Sequence, residues 1–319
     1  MTAVNADDFY KMDLKKTHYF INIGSSSSGS GGLAGKRLAV LADFHNRDHE
    51  PVLDVLRDDI PDAIMIPGDI IHGFFPQGEK YVIDRCPGSI AFLEGCSEIA
   101  PTYMSVGNHE ALLCSDEYDM LRAAGVTVLD NEFTELRFRN DHTSGKSSTG
   151  PSLGNNSAGP SEKIFAGGLT SAHTLSYNRF RDDHNRENGT EGYERYPYRK
   201  KPKDLDAFPA DSAWLDDFEQ ADGYRILMCH HPEYWCLREP MLRDRKIDLV
   251  LSGHAHGGQW RFMGHGILAP GQGLLPKYTG GIYDGQYGSM IVSRGLSNPY
   301  RFVPRWGNPC EIVYVEFRI

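Results

Sequence analysis

Seven side chains able to ligate a hard or borderline cation stand at the ends of five apolar runs. Asp43 and His45 follow RLAVLA (37–42), Asp69 follows AIMIPG (63–68) and Asn108 follows TYMSVG (102–107). His230 follows YRILMC (224–229), and His254 and His256 follow DLVLSG (248–253). In open α/β sheets ligands gather beyond the carboxyl ends of the strands, so seven residues from five separate runs are expected to converge on one crevice. The i, i+2 spacing of Asp43 with His45, and of His254 with His256, adds to this. Alternate residues leaving an extended chain point the same way, so each pair is expected to aim at one point.

Two carboxylates, one amide and four imidazoles are too many for one tetrahedral ion and suit two divalent ions. A nitrogen and oxygen set without thiolate favours manganese, iron or zinc over an all-oxygen magnesium or calcium site. Manganese is the first expectation, with iron and zinc as alternatives. One carboxylate has to bridge, which holds two ions about 3.5–4 Å apart. Two dications facing two carboxylates leave a local positive charge of the kind a phosphate ester needs. His109, directly after Asn108 in GNHE (107–110), is placed to donate a proton to a leaving oxygen or to stabilise charge on a phosphoryl group.

The bulk of the chain narrows what such a site can serve. With 319 residues, 40% of them hydrophobic, the chain can bury a sizeable core. A formal net charge of -10 excludes a general polyanion binder, because binding phosphate chains needs a positive surface, so no stable nucleic-acid partner is expected. Six scattered cysteines (86, 96, 114, 229, 236 and 310) without a CxxC pair predict reduced thiols and a cytoplasmic location. No stretch approaches the roughly 18 apolar residues of a membrane span, so any membrane association would be peripheral, for instance through an anchor upstream of this sequence.

The elements that must position the site alternate short apolar runs with helix-like stretches, the pattern of an α/β fold. PVLDVLRDDI places Val52, Val55, Leu56 and Ile60 on one helical face, and SDEYDMLRAAG offers Ser115 as an N-cap and Gly125 as a stop. A further helix is expected from Asp211. Strands are expected at MIVSRGL (290–296) and EIVYVEFRI (311–319), closing an α+β sandwich. TELRFR (134–139) and KIFAGGL (163–169) read as two strands of a hairpin whose tip, 142–162, is a low-complexity insert expected to be disordered; SSSSGSGG (25–32) has the same composition.

In this order DFH, GDII, GNHE, HHP and GHAH, over residues 43–256, resemble the five blocks of the calcineurin-like metallophosphoesterase superfamily. The tail, GHAHGGQW followed by APGQGLLPKYTGGIY and VSRGL, resembles more narrowly the bacterial YkuE/YaeI-type metallophosphoesterases. The likeness covers roughly residues 17–319 apart from the low-complexity inserts. It implies a single domain over 1–319, of class α/β (α+β), built as a four-layer α/β/β/α sandwich of two mixed sheets flanked by helices. It implies one ion on Asp43, His45, Asp69 and His256 and a second on Asp69, Asn108, His230 and His254. Asp69 would bridge, His109 would be the catalytic histidine, and a metal-bridging hydroxide would attack phosphorus in line without a phospho-enzyme. One departure bears on substrate. The protein-phosphatase branch carries Asp-Arg-Gly where this chain has His72-Gly73-Phe74, which argues against a phosphoprotein phosphatase.

The expected activity is therefore hydrolysis of a phosphodiester or pyrophosphate in a small molecule, a nucleotide or a lipid headgroup. The alternatives are a phosphomonoesterase and a non-catalytic metal-binding module of the same fold. Glu110 and His231 each adjoin a ligand and either orient it or face solvent. Two Gly-Lys stretches, SGSGGLAGKR and NDHTSGKSS, lack the Walker spacing. YERYPYRKKPK (193–203), within a long connection at about 171–210, reads as a solvated loop ahead of a substrate lid, and Lys277 and Arg294 take the same discount. Sequons at Asn155 and Asn188 matter only on secretion.

Overall fold

Strands buried on both faces lose the alternation that marks a half-exposed sheet and become unbroken apolar runs. RLAV and AIMI are of this kind: Leu38 and Val40 pack to one side, Ala39 and Leu41 to the other, and all four are buried. The computed structural model describes residues 14–23, 30–72, 81–113, 115–139, 163–171, 212–298 and 303–319. In chain order the strands are β1 (Leu14–Asn22), β2 (Arg37–Val40), β3 (Ala63–Ile66), β4 (Thr102–Ser105), β5 (Thr127–Leu129), β6 (Glu132–Glu135), β7 (Ile164–Leu169), β8 (Tyr224–Cys229) and β9 (Leu249–Ser252). Two-residue ribbons follow, β10 (Arg261–Phe262) with β11 (His265–Gly266) and β12 (Leu268–Ala269) with β13 (Gly273–Leu274). Last come β14 (Gly281–Asp284), β15 (Ser289–Val292) and β16 (Cys310–Arg318). The helices are α1 (Ser30–Leu33), α2 (Glu50–Asp59), α3 (Pro87–Ile99), α4 (Ser115–Ala123) and α5 (Leu215–Gln220).

Two six-stranded mixed sheets result, ordered β1-β16-β2-β3-β4-β5 and β14-β15-β9-β8-β7-β6. In the first, β2 to β5 run parallel and β16 is antiparallel to β2. In the second, β15, β9, β8 and β7 run parallel, with antiparallel β14 and β6 at the edges. Three apolar clusters define the layers. Val52, Leu53 and Leu56 of α2, Phe92 and Leu93 of α3, and Leu121 of α4 cover one face of the first sheet. Leu38, Val40 and Met65 meet Ile226, Met228 and Leu251 between the sheets. Leu215 and Phe218 of α5, with Tyr234, Trp235 and Leu242, cover the far face of the second sheet. The expected four-layer order is thus present, with one outer layer made, among the described residues, of a short helix and irregular chain.

Several local expectations shift. Ile60 does not join the α2 face: it caps the helix in a left-handed conformation (φ 47) and is 48% exposed, while Leu53 takes the buried position. α3 went unpredicted because Gly88 and Gly95 weaken its periodicity. Gly95 is needed there, since a Cβ would lie 2.3 Å from Leu53 Cδ1. α5 starts at Leu215 instead of Asp211, which lies outside the described residues. β6 stops at Glu135, earlier than TELRFR suggested, but pairs antiparallel with β7 as a hairpin requires. The insert 142–162 lies outside the described residues, as do 25–29, the connection 172–211 and both sequons; within SSSSGSGG, Ser30 already opens α1, whose Leu33 is fully buried. Five described cysteines are unpaired. No helix among the described residues is long and apolar enough to cross a membrane.

Candidate functional site

Within each sheet β2, β3 and β4, and β8 and β9, run parallel. Each is followed within a few residues by its candidate ligand. Asp43, His45, Asp69, His230, His254 and His256 are all buried, and Asn108 and His109 are half-buried at the rim. The reason the pairs converge differs from the expected one. The chain is no longer extended there: Asp43 (φ 55), His45 (φ 50), Asp69 (φ 58), His254 (φ 66) and His256 (φ 46) all hold left-handed backbone, which side chains with a Cβ rarely adopt. Such strain costs on the order of 1–3 kcal/mol per residue and collects at functional sites. Here it is held by hydrogen bonds between loops, with Asp43 N donating to Gly68 O (3.3 Å), His45 N to Asp69 O (3.2 Å) and Asn46 N to Ile70 O (2.9 Å).

The ligand atoms gather in two adjoining clusters, Asp43 with His45 and His256, and Asp69 with His230 and His254, each within 4.8 Å. Asp69 Oδ2 lies between them, 3.1 Å from His230 Nε2, 3.8 Å from His109 Nε2 and 3.9 Å from His45 Nε2. Asp43 Oδ1 is 3.7 Å from His256 Nε2 and 4.0 Å from His45 Nε2. Asn108 Oδ1 stands 3.0 Å from His230 Nε2. Two glycines admit the carboxylates: a Cβ at Gly107 would fall 2.3 Å from Asp69 Oδ1, and one at Gly295 (φ +79) would fall 2.7 Å from Asp43 Oδ2.

Proton positions follow from the partners. His45 Nδ1 donates to Ile71 O (3.0 Å) and His230 Nδ1 to Pro67 O (3.0 Å), because a carbonyl only accepts. His45 Nε2 is thereby turned, as a lone pair, toward the carboxylates, whereas His230 Nε2, facing Asp69 Oδ2 (3.1 Å) and Asn108 Oδ1 (3.0 Å), carries a proton that has to leave before it can ligate. His45 Nε2 is buried with no hydrogen-bond partner, an expensive arrangement unless a cation takes it up. Burial, and then the neighbouring histidines, hold the His45 imidazole well below its usual range. His256 is lowered likewise by burial and then by the Arg305 guanidinium. Burial, reinforced by Asp69, pushes the Asp43 carboxyl up to about 7 against the pull of His230. Burial opposes charge on His230, but the Asp69 carboxylate overrides it and raises the imidazole to about 9. Imidazoles held neutral at His45 and His256, crowded carboxylates and the orphaned His45 Nε2 fit a cation-binding pocket. His256 differs in one detail: Arg305 Nη2 donates to its Nδ1 at 3.4 Å, and that long contact must yield for Nε2 to ligate as a neutral imidazole.

Residues around the cluster sort themselves out. Glu110 does not touch a histidine; it is fully buried and accepts from the backbone N–H of Gly107, Asp69, Ile70 and Ile71 at 2.8 to 3.3 Å. His231 is buried, its Nδ1 2.9 Å from Ser171 Oγ and its ring 4.2 Å from that of His254. Arg294 is structural, paired with Glu311 at 2.5 Å. His72, noted in the sequence only as a departure, forms a third group with His45 and His109. Two residues were missed. Glu233 is buried with both carboxylate oxygens lacking a hydrogen-bond partner, and Arg305 sits behind His256. Arg305 stands at no strand end and no sequence signal marked it, whereas Glu233, three residues beyond His230 in the turn after β8, could have been found by its closeness to that ligand.

Several known proteins are similar to this chain. The "Uncharacterized protein YpbG" of Bacillus subtilis is 35% identical over 84 residues, 24% of this chain, which spans only 31% of that protein. A dimetal phosphatase from Danio rerio aligns at 13% identity over 83% of this chain and 90% of its own (TM-score 0.42). The calcineurin-like phosphoesterase YfkN from Bacillus subtilis aligns at 13% over 88% and 81% (TM-score 0.38). A family model of the calcineurin-like phosphoesterases matches residues 36–258, a span that takes in all seven candidate ligands and His109, and the chain belongs to that family.

Proposed function

We propose that the chain hydrolyses phosphoesters at a pair of divalent cations, with a phosphodiester or pyrophosphate as the preferred class. The observation that carries this reading is the position of Asp69 Oδ2 between the two clusters, 3.1 Å from His230 Nε2 and 3.9 Å from His45 Nε2. Asp43, His45, Asp69 and His256 would hold one cation and Asp69, Asn108, His230 and His254 the other, manganese first, with iron or zinc as alternatives. Bound there, dications supply charge to neutralise phosphoryl oxygens and a water that deprotonates near neutral pH. His109, its side chain 27% exposed and its Nε2 3.8 Å from Asp69 Oδ2, would in its protonated form donate to a leaving alkoxide. Burial, and then His109, hold the neighbouring His72 down to about 4, so His72 is neutral near pH 7 and does not compete as a proton donor. The backbone N–H of His109 donates to Asp69 Oδ1 (2.9 Å), fixing the donor and the central carboxylate to one another.

The test is turnover of bis(p-nitrophenyl) phosphate and p-nitrophenyl phosphate with added manganese. His109→Ala should lower turnover by roughly 10²–10⁴-fold with metal content unchanged. Faster monoester than diester turnover would move the substrate class, and absence of metal-dependent turnover would favour a binding module. Metal uptake should also depend on pH with a fixed sign. The Asp43 carboxyl is held up to about 7 and His230 up to about 9, and both must be deprotonated to ligate. Affinity for manganese should therefore fall as pH falls, by about tenfold per unit between pH 9 and 7 and more steeply below, one released proton giving way to two. Calorimetry in buffers of different ionisation enthalpy counts those protons.

A further inference from the structure

Glu233 takes no part in the hydrolytic reading, yet it is buried close to the second cation site. It is 1% exposed, and neither of its side-chain oxygens has a hydrogen-bond partner. Burial raises its carboxyl above the usual range, and its own backbone N–H, Arg238 and Gln272 offset this only in part. A buried acceptor without a partner forfeits its bonds to water, so such an orphan asks for a donor or a counter-charge. The residue is held firmly in place. It lies in the 3₁₀ turn Pro232–Trp235, whose Tyr234 and Trp235 are buried against the far face of the second sheet. Its carbonyl accepts from Leu237 N (2.9 Å) and Arg238 N (3.0 Å).

Gly271 and His254 face the carboxylate. A Cβ on Gly271 would lie 2.9 Å from Glu233 Oε1 and 3.6 Å from His254 Nε2, so both atoms border the space that this glycine leaves open. Gly271 also holds φ +70, which residues with a side chain rarely adopt. Its loop is tied down: Gln272 N donates to Ala269 O (3.3 Å), and the Gln272 amide is bonded at both ends to the Tyr278 backbone, at 2.8 Å each. His254 is fixed as well, its backbone N–H donating to Asp43 Oδ1 (3.1 Å) and its ring 4.2 Å from that of His231. With Nε2 on the Gly271 side, Nδ1 is the nitrogen that remains for a cation shared with Asp69 and His230. Metal-bound histidines commonly donate their second ring N–H to a carboxylate, which fixes the ring and makes the ligating nitrogen more basic. Glu110 cannot take that role, because four backbone N–H groups already fill its oxygens.

We infer that Glu233 is the positioning residue for His254: it receives the Nε2–H across the gap at Gly271, directly or through one water, and leaves Nδ1 as the lone pair for the second cation. This rests on the two-cation reading, but part of its test needs no metal. In the metal-free protein, proton and nitrogen-15 NMR should show a His254 Nε2–H protected from exchange, and Glu233→Ala should lose it. Calorimetry with manganese should find one of two ions bound about tenfold to a hundredfold more weakly in Glu233→Ala, with the other ion held as in wild type. Glu233→Gln, which keeps an acceptor, should be less affected. The urea midpoint of metal-free Glu233→Gln should equal or exceed the wild-type value, because the change removes an unsatisfied carboxylate and breaks no bond. A lowered midpoint with both ions weakened alike would make Glu233 merely structural and overturn the inference. So would a His254 Nε2–H that survives in Glu233→Ala, or undiminished affinity of that variant for both ions. Wild-type protein that takes up no manganese, or hydrolyses no phosphoester, defeats the hydrolytic reading, and the metal-free His254 proton then decides the role of Glu233 by itself.

Discussion

Asp69→Asn should abolish metal-dependent hydrolysis, with a loss of at least about a thousandfold in kcat at saturating manganese, and should reduce bound metal from two ions per chain to one or none. The substitution is isosteric. Oδ1 can still accept from the His109 backbone N–H (2.9 Å), so the loop keeps its principal restraint. What disappears is the charge and the acceptor at Oδ2, the atom 3.1 Å from His230 Nε2 and 3.9 Å from His45 Nε2. Asn presents an amide to those nitrogens, which can reach neither cation as a bridging anion. The change should also show without metal: the Asp69 carboxylate keeps the His230 imidazole up at about 9, so in the variant that histidine should titrate lower. Kinetics, elemental analysis and histidine NMR on one preparation separate a lost bridge from a lost fold. Wild-type metal content and activity in the variant would remove Asp69 from the centre of the site.

Glu110→Ala should be the most destabilising single change near the site, by about 3–5 kcal/mol, seen as a lowered urea midpoint in the metal-free protein. Each Glu110 oxygen accepts two backbone N–H groups, Asp69 and Gly107 on one and Ile70 and Ile71 on the other. Alanine would strand four buried donors at once. The cost falls on the loops that carry Asp69 and Asn108, so metal affinity should drop along with stability. Glu110→Gln keeps the shape and one acceptor but turns an NH₂ group toward N–H donors, and should be intermediate. Equal stability of wild type and Glu110→Ala would mean that water or a relaxed loop satisfies those amides.

The two cases show where the sequence was legible. Strand cores were readable because burial on both faces turns them into apolar runs, and the candidate ligands were readable because they stand at the ends of those runs. The pairing of β6 with β7 was readable from two β-rich segments around a polar insert. Glu110 was visible as a neighbour of Asn108, yet its partners are backbone amides, and amides leave no trace in residue identity. The left-handed turns at Asp43, His45, Asp69, His254 and His256 were hidden for a related reason. Glycine or asparagine normally announces such a turn, and here ligand chemistry fixes the side chain while hydrogen bonds between loops hold the strain. α3 escaped because Gly95 is set by its contact with Leu53, a tertiary demand that local periodicity does not register. Arg305 reaches the pocket from irregular chain far from any ligand, where spacing predicts nothing, while Glu233 stands three residues beyond His230 in the turn after β8.

The most direct test of the central claim is anomalous scattering from crystals of the protein grown with manganese. Two peaks about 3.5–4 Å apart are expected, both touching Asp69, one also on Asp43, His45 and His256 and the other on Asn108, His230 and His254. A single peak, or two peaks that do not share Asp69, would contradict it.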